Sequence, residues 1–152
     1  MPEKNVGQGL CSCTALRKAT RKVSQLYDEA LAPCGLRTTQ RAILNHIKRA
    51  GTPGMGELAE ALVMDRGALA HNLKPLERDG FLSVKVDPND RRNRIVALTE
   101  RGKAKLAESE KYWLRAQKNF EKAFGTTKTL SLRKALAFIV SEDFTESFGR
   151  RA

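Results

Sequence analysis

The apolar residues of this chain change their spacing near Gly80, and this change constrains the fold more than any other feature of the sequence. In residues 69–76 leucine recurs at intervals of three and four, the repeat of an α-helix with one buried face. In residues 82–86 leucine and valine alternate with serine and lysine, the repeat of a β-strand. The change predicts a mainly α-helical fold with a small β element.

A hairpin is predicted in the second half of this pattern. Another apolar run, residues 95–98, comes after eight residues with the sequence DPNDRRNR. Asp, Pro and Asn favour turns, so residues 87–94 are predicted to connect two antiparallel strands. Three arginines, Arg91, Arg92 and Arg94, give this connection a cationic tip.

Helical repeats cover most of the remaining chain. Asp65 is predicted to cap a helix at residues 66–79, and Thr38 or Thr39 to cap the helix that begins there. Pro75 should kink the helix at residues 66–79 or weaken its last turn. The other helices are predicted at residues 11–31, 55–62, 99–124 and 130–148.

The charge of the chain favours a polyanionic partner such as nucleic acid. The 152 residues include 28 basic and 17 acidic side chains, for a net charge of +11. The excess is uneven, because residues 1–50 carry +6 and residues 102–152 carry +5, whereas residues 51–101 are neutral. Any contact between the middle segment and nucleic acid must therefore depend on where its cations lie.

The sequence also bears on the location of the protein. No apolar run approaches the roughly 20 residues of a membrane span, and the N-terminus lacks the features of a signal peptide. Three cysteines, an odd number, are not typical of a disulfide scaffold. These features predict a cytoplasmic protein without a membrane partner.

The order short helix, turn, helix, strand, charged hairpin, strand predicts a winged helix-turn-helix. In that fold one helix enters the major groove of DNA and a two-stranded β-wing lies alongside. The residues in this order resemble those of the MarR (multiple antibiotic resistance regulator) transcription factors. Residues 87–102, DPNDRRNRIVALTERG, match the wing signature of that family and the start of the next helix, and residues 58–82 resemble its helix-turn-helix.

The resemblance implies which residues contact double-stranded DNA. Asp90, Arg91 and Arg92 would form the wing tip, with one arginine in the minor groove. Asp90 would orient a neighbouring arginine, because phosphates repel a carboxylate. Arg94 is a further wing cation. On the recognition helix, the residues expected nearest the duplex are Arg66, His71, Asn72 and Lys74.

The recognition helix departs from the family pattern near its start. Gly67, Ala68 and Ala70 stand where family members often have Ser or Thr, so hydroxyl contacts to phosphates are absent. His71 is largely neutral at pH 7, which is expected to make DNA binding weaker or more dependent on pH. Asn72 either contacts DNA or turns inward to brace the helix. Secondary candidates for phosphate contacts are Arg78 and Lys85.

The resemblance also implies a homodimer, since family members interlock through their first and last helices. A two-fold dimer reads a pseudo-palindromic operator. The implied parts are an N-terminal dimerisation helix at residues 1–34, a winged helix-turn-helix at 35–101 and C-terminal dimerisation helices at 102–152. The alternative is that the terminal helices only complete the core of one monomer. Candidate interface residues are Leu16, Phe138 and Phe144.

Most members of the family are released from DNA by small aromatic or phenolic ligands. These effectors bind between the dimerisation helices and the winged helix. The residues that could line such a pocket here are Tyr27, Arg41, His46 and Trp113. Taken one at a time, Trp113 is better explained as a core residue and the other three as surface residues.

The cysteines allow a different signal. Some family members sense peroxides through a cysteine in the first helix, and Cys11 lies in a comparable place beside cations that lower a thiol pKa. An inert cysteine is nevertheless the preferred interpretation. The spacing of Cys11 and Cys13 is not that of a zinc site, so neither a metal nor a cofactor is predicted.

The sequence therefore predicts a homodimeric transcriptional repressor that binds a pseudo-palindromic operator and is released by a small ligand. No catalytic motif supports an enzyme. Two alternatives remain. One is a redox-sensing regulator of the same fold that uses Cys11, and the other is a winged-helix protein-interaction module without salt-dependent affinity for DNA.

Overall fold

A computed structural model describes residues 9–149. It is mainly helical, with one two-stranded antiparallel sheet as the wing, which confirms the predicted fold class. A short 3₁₀ turn at Ala32–Cys34 separates the first two helices. In chain order the elements are α1 (Ser12–Leu31), α2 (Thr38–Ala50), α3 (Met55–Ala61), α4 (Arg66–Arg78), β1 (Leu82–Asp87), β2 (Asp90–Leu98), α5 (Glu100–Phe124), α6 (Thr126–Ile139) and α7 (Glu142–Ser147).

The core lies where α2, α3, α4 and the sheet meet the start of α5. The three leucines of α4 are buried, as their spacing predicts. Leu82 and Val96 close the core from the two strands, and Leu31 and Leu106 close it from α1 and α5. The outer face of α4 and the tip of the wing point away from this core, so they remain exposed to solvent.

Helix α4 begins and ends through local contacts. The Asp65 carboxylate accepts a hydrogen bond from the Ala68 N–H at 2.7 Å, which confirms the predicted cap. The helix continues past Pro75, and the Asp79 N–H donates to the Pro75 carbonyl at 3.0 Å. The last turn of α4 is therefore closed by a backbone hydrogen bond. Gly80 then reverses the chain in the left-handed region, with φ +78°.

The start of α2 differs from the prediction. Thr38 is its first helical residue rather than its cap, and Thr39 lies inside the helix. The Thr38 N–H donates to the carboxylate of Asp28 in α1 at 2.7 Å. The helix end is thus capped by a different helix, through a contact that no local pattern could predict.

The hairpin connection is shorter than the predicted residues 87–94. The strands extend until only Pro88 and Asn89 lie between them. The register is irregular at the end, because Val86 pairs with Arg94 whereas Asp87 pairs with Asp90. The ladder therefore leaves residues 91–93 of β2 without direct partners, and this bulge carries two of the three wing arginines.

The start of α5 packs very closely against Phe81, which lies between α4 and β1. The Thr99 hydroxyl accepts from the Gly102 N–H at 3.0 Å, which confirms the predicted helix start. The Phe81 carbonyl faces the same turn and accepts from the Thr99 N–H at 3.1 Å. A Cβ at Gly102 would lie only 1.8 Å from that carbonyl oxygen. The junction between the wing and α5 therefore requires glycine at this position.

The predicted single helix at residues 130–148 is wrong. Helix α6 begins earlier, at Thr126, and the chain breaks at Val140 before α7. The Ser141 hydroxyl caps α7 by accepting from the Phe144 N–H at 3.3 Å. Serine competes for backbone hydrogen bonds and favours a new helix start over helix continuation.

The terminal helices leave apolar surface uncovered. Residues 11–22 of α1 are exposed throughout. Of the C-terminal aromatic residues, Phe138 is 51% exposed and Phe148 is 80% exposed. Among residues 9–149, no helix has the length and apolar character needed to cross a membrane.

Candidate nucleic-acid interface

The outer face of α4 carries the predicted recognition residues. Arg66, His71 and Lys74 are exposed, because the leucines of the same helix occupy the opposite face. Asn72 is half-buried, and its side-chain amide donates to the Ala68 carbonyl at 2.8 Å. Its amide nitrogen therefore braces the helix, whereas the other three side chains extend into solvent.

The wing tip is organised around Asp90. One carboxylate oxygen accepts from the Arg92 backbone N–H at 3.1 Å and lies 3.5 Å from the Arg92 Nε. The other oxygen accepts from the Asn93 side-chain amide at 3.1 Å. The Arg92 side chain is 93% exposed, and Arg91 is exposed beside it. The Asp90 carboxylate thus holds the bulge in shape while the guanidinium groups face outward.

A groove of about 990 Å³ separates the start of α4 from the wing. It brings together one arginine of the helix, Arg66, and two of the wing, Arg92 and Arg94, although 26 residues separate Arg66 from Arg92 in the sequence. Thr52 and Asn93 also line it. Neither residue stands out in the sequence, because Thr52 belongs to no recognisable motif and Asn93 is an uncharged residue of the wing signature.

The secondary phosphate candidates differ in their surroundings. The Arg78 Nε donates to the neighbouring Asp79 carboxylate at 3.2 Å, which offsets part of its charge. Lys85 is exposed on β1. Neither residue lines the groove between α4 and the wing.

The four predicted effector residues do not line one pocket. Arg41 is buried and stacks on Trp113 at 4.4 Å, where its Nε donates to Ser109 at 3.0 Å and its Nη2 lies 2.6 Å from Glu110. His46 lies five residues further along α2, about 140° around the helix, and faces a different depression. Its Nδ1 lies 2.8 Å from the Ala42 carbonyl oxygen within the same helix.

Tyr27 lines a third site, a groove of about 630 Å³ between α1 and α5. Its hydroxyl donates to the Gln117 side chain, and burial raises the pKa of the phenol above its ordinary value. Tyr27 and His46 therefore line different depressions. Only Arg41 and Trp113 of the four are in contact with each other.

The cysteines lie in two different environments. Cys11 is exposed, and hydrogen bonds from the Thr14 backbone and hydroxyl and from the Cys13 backbone lower the pKa of its thiol. Cys34 is buried and donates to the Leu31 carbonyl. Over residues 9–149, no group of three or more His, Cys, Asp or Glu side chains is arranged to hold a metal ion.

Comparisons with known proteins agree with this geometry. The sequence profile of the MarR family matches residues 36–93. The transcriptional activatory protein BadR of Rhodopseudomonas palustris is 38% identical over 116 residues, which cover 68% of this chain and 66% of BadR. The chain thus spans slightly less than two thirds of that relative.

Solved structures match over more of the chain. The M. tuberculosis transcriptional regulator MosR, solved in complex with DNA, is 30% identical with a TM-score of 0.81, and the match covers 92% of this chain and 99% of MosR. The transcriptional repressor CouR, bound to a 23-mer duplex, is 26% identical with a TM-score of 0.78 over 86% of this chain and 93% of CouR. These folds and relatives are those of transcription regulators rather than of enzymes. The chain belongs to the MarR family of winged helix-turn-helix, DNA-binding transcriptional regulators.

Proposed function

We propose that the protein is a homodimeric repressor that binds a pseudo-palindromic operator in double-stranded DNA and is released by a small aromatic or phenolic ligand. The observation that carries this proposal is the convergence of Arg66, Arg92 and Arg94 on one groove between α4 and the wing. Helix α4 would enter the major groove, and the arginines would contact the phosphates and the minor groove beside it.

Three of the acidic residues in this region are held in local hydrogen bonds. Asp65 accepts from the first turn of α4, Asp87 accepts from the Asn89 N–H at 2.9 Å, and Asp90 holds the wing tip. Glu57 and Glu60 also line the groove, so the positive charge is concentrated on the arginines that extend outward at the wing tip and at the start of α4. A segment with no net charge can in this way present cations to DNA. The complexes of MosR and CouR with DNA support the same use of the fold.

The uncovered apolar surface of the terminal helices supports a dimer. Leu16 of α1 is 38% exposed, and the exposed Phe138 packs edge-on against Phe144 at 5.6 Å between ring centroids. A second copy of the chain would bury these side chains and remove them from water. The two winged helices of such a dimer would then reach successive turns of DNA.

Selection of bound genomic fragments tests this assembly. We expect the recovered sequences to contain two inverted half-sites about one helical turn, or about 10 base pairs, apart. Phe138→Asp is expected to give a monomer in light scattering, because a carboxylate in an apolar interface is costly. Since the monomer holds one half-site, its affinity for the selected duplex should fall by at least about tenfold.

The matched control for this experiment is Ser131→Asp, which adds the same charge to an exposed polar position of α6. It should remain a dimer with unchanged affinity. A full-length wild-type protein that is monomeric at micromolar concentration, or selected fragments without inverted symmetry, would contradict the proposed assembly.

An aromatic effector fits the groove between α1 and α5. This groove, beside Tyr27, is lined by further aromatic residues, Phe120 and Phe124, and by the exposed Arg115. A planar ligand with an acidic group could stack on these rings and pair with that arginine. Arg41 and Trp113 stack on each other between α2 and α5, and the buried Arg41 is already paired with Glu110.

Redox sensing through Cys11 is the second candidate function, favoured by its exposure and lowered thiol pKa. Under the primary proposal, micromolar peroxide should leave DNA binding unchanged, since residues 11–22 are exposed and oxidation of Cys11 disturbs no core packing. DNA binding is titrated before and after peroxide in wild type, Cys11→Ser and Cys34→Ser. Release that is reversed by reductant, lost in Cys11→Ser and kept in Cys34→Ser would establish the redox function instead.

A further inference from the structure

Arg66 lies directly against the first turn of α3. Its Nη2 is 2.6 Å from the position that a Cβ would occupy on Gly56, and its Cζ is 3.3 Å from that position. The guanidinium of Arg66 therefore fills the space in which any other residue at position 56 would carry a side chain. Gly56 is exposed enough to line the groove between α4 and the wing, together with Arg66 itself.

The open space beside Gly56 allows the Arg66 side chain to point toward the groove. Arg66 is the first residue of α4, and from there it extends across α3 into the groove that Arg92 and Arg94 also line. In the part of the chain that the structure describes, neither Arg66 nor Arg94 has a carboxylate within 4.0 Å. The planar guanidinium group is well suited to a phosphate, which it can contact through two parallel hydrogen bonds.

We propose that Gly56 is a positioning residue for DNA recognition. Because Gly56 has no side chain, the Arg66 guanidinium can lie across α3 and hold a phosphate of the DNA backbone beside the phosphates that the wing arginines contact. The inference rests on the proposed DNA-binding function and names the group that this groove binds. The contact is to the backbone, so it strengthens binding to every sequence rather than selecting one.

Gly56→Ala is expected to change DNA affinity without lowering the stability of the fold. Gly56→Ala would place a methyl group 2.6 Å from the Arg66 Nη2, and the flexible arginine would move away from the groove. The fold itself should not suffer, since alanine is the better helix former and the displaced atoms are at the end of a long side chain. We therefore expect Gly56→Ala to melt no lower than wild type and to bind DNA more weakly.

The test is a double-mutant cycle on a random-sequence DNA duplex, with affinity measured over a range of salt concentrations. Gly56→Ala and Arg66→Ala are each expected to lower affinity by about tenfold and to reduce the salt slope by about one unit. The double variant should be no weaker than either single one, because both changes remove the same contact. A second double-mutant cycle, which serves as the reference, combines Gly56→Ala with Arg94→Ala. In this cycle the two losses of binding free energy should add in full.

Each other outcome has a defined meaning. The inference would be overturned if Gly56→Ala lowered affinity as much in the Arg66→Ala background as in wild type. It would also be overturned if Gly56→Ala were coupled to Arg94→Ala as strongly as to Arg66→Ala. Either result would show that Gly56 shapes the groove generally. Wild-type affinity in Gly56→Ala or in Arg66→Ala would overturn it as well, while binding by the wild-type protein would still support the proposed function. Failure of the wild-type protein to bind DNA at low salt would instead contradict that function.

Discussion

Replacement of both Arg91 and Arg92 by alanine is expected to lower the affinity for operator DNA by at least about a hundredfold. Both side chains are exposed in the bulge at the wing tip, where they can reach DNA without any rearrangement of the core. Each lost phosphate contact should also flatten the dependence of log affinity on log salt by about one unit. The measurement is a titration of the selected duplex at several salt concentrations.

The matched control removes the same two positive charges from another exposed surface. Lys18 and Lys22 lie on α1, where every residue from 11 to 22 is exposed. Lys18→Ala combined with Lys22→Ala should change affinity by no more than about twofold, because distant exposed charges are screened by salt. A wing variant with wild-type affinity and an unchanged salt slope would contradict the role of the wing in DNA binding.

Gly102→Ala is expected to destabilise the folded protein by at least about 3 kcal/mol. The new Cβ would lie 1.8 Å from the Phe81 carbonyl oxygen and 2.8 Å from its carbon. Both atoms belong to the backbone, and they cannot move easily because the Phe81 N–H donates to the Leu76 carbonyl at 2.9 Å. The clash therefore has to separate α5 from Phe81, which disturbs the core that contains both Phe81 and Leu106.

Thermal unfolding measures this loss, which should lower Tm by about 6–12 °C for a chain of this size. The direction of the change in stability is informative, because helix propensity alone would favour alanine over glycine by about 1 kcal/mol. Lys103→Ala, the exposed neighbour in the same turn, is the control and should stay within about 0.5 kcal/mol of wild type. Samples are compared at one protomer concentration, since dimerisation makes Tm depend on concentration. A Gly102→Ala variant as stable as wild type would show that α5 does not pack as closely as described.

The C-terminal region shows a limit of periodicity. The apolar repeat of residues 130–148 is continuous enough to predict one helix, yet the Ser141 hydroxyl starts a new one. A local signal was present, because serine followed by two acidic residues is typical of a helix N-terminus. The wing connection differs for a similar reason, since its turn residues predicted a loop where the strands in fact continue to Asp87 and Asp90.

The sequence alone was sufficient for features that depend on neighbouring residues. The cap at Asp65 and the start of α5 at Thr99 each involve hydrogen bonds within a few positions. The buried face of α4 follows from the spacing of its leucines. These features depend mainly on residues that are close in sequence, so patterns of residue types are enough to predict them.

Tertiary structure decided which distant residues meet. The carboxylate of Asp28 caps α2, Arg66 crosses Gly56 to reach the groove that the wing arginines line, and Arg41 stacks on Trp113 while His46 faces elsewhere. None of these contacts has a signature in residue spacing, because each depends on the distance and rotation between two packed elements. That geometry is set by the shapes of all the side chains in the core together, and it determines where a long side chain ends.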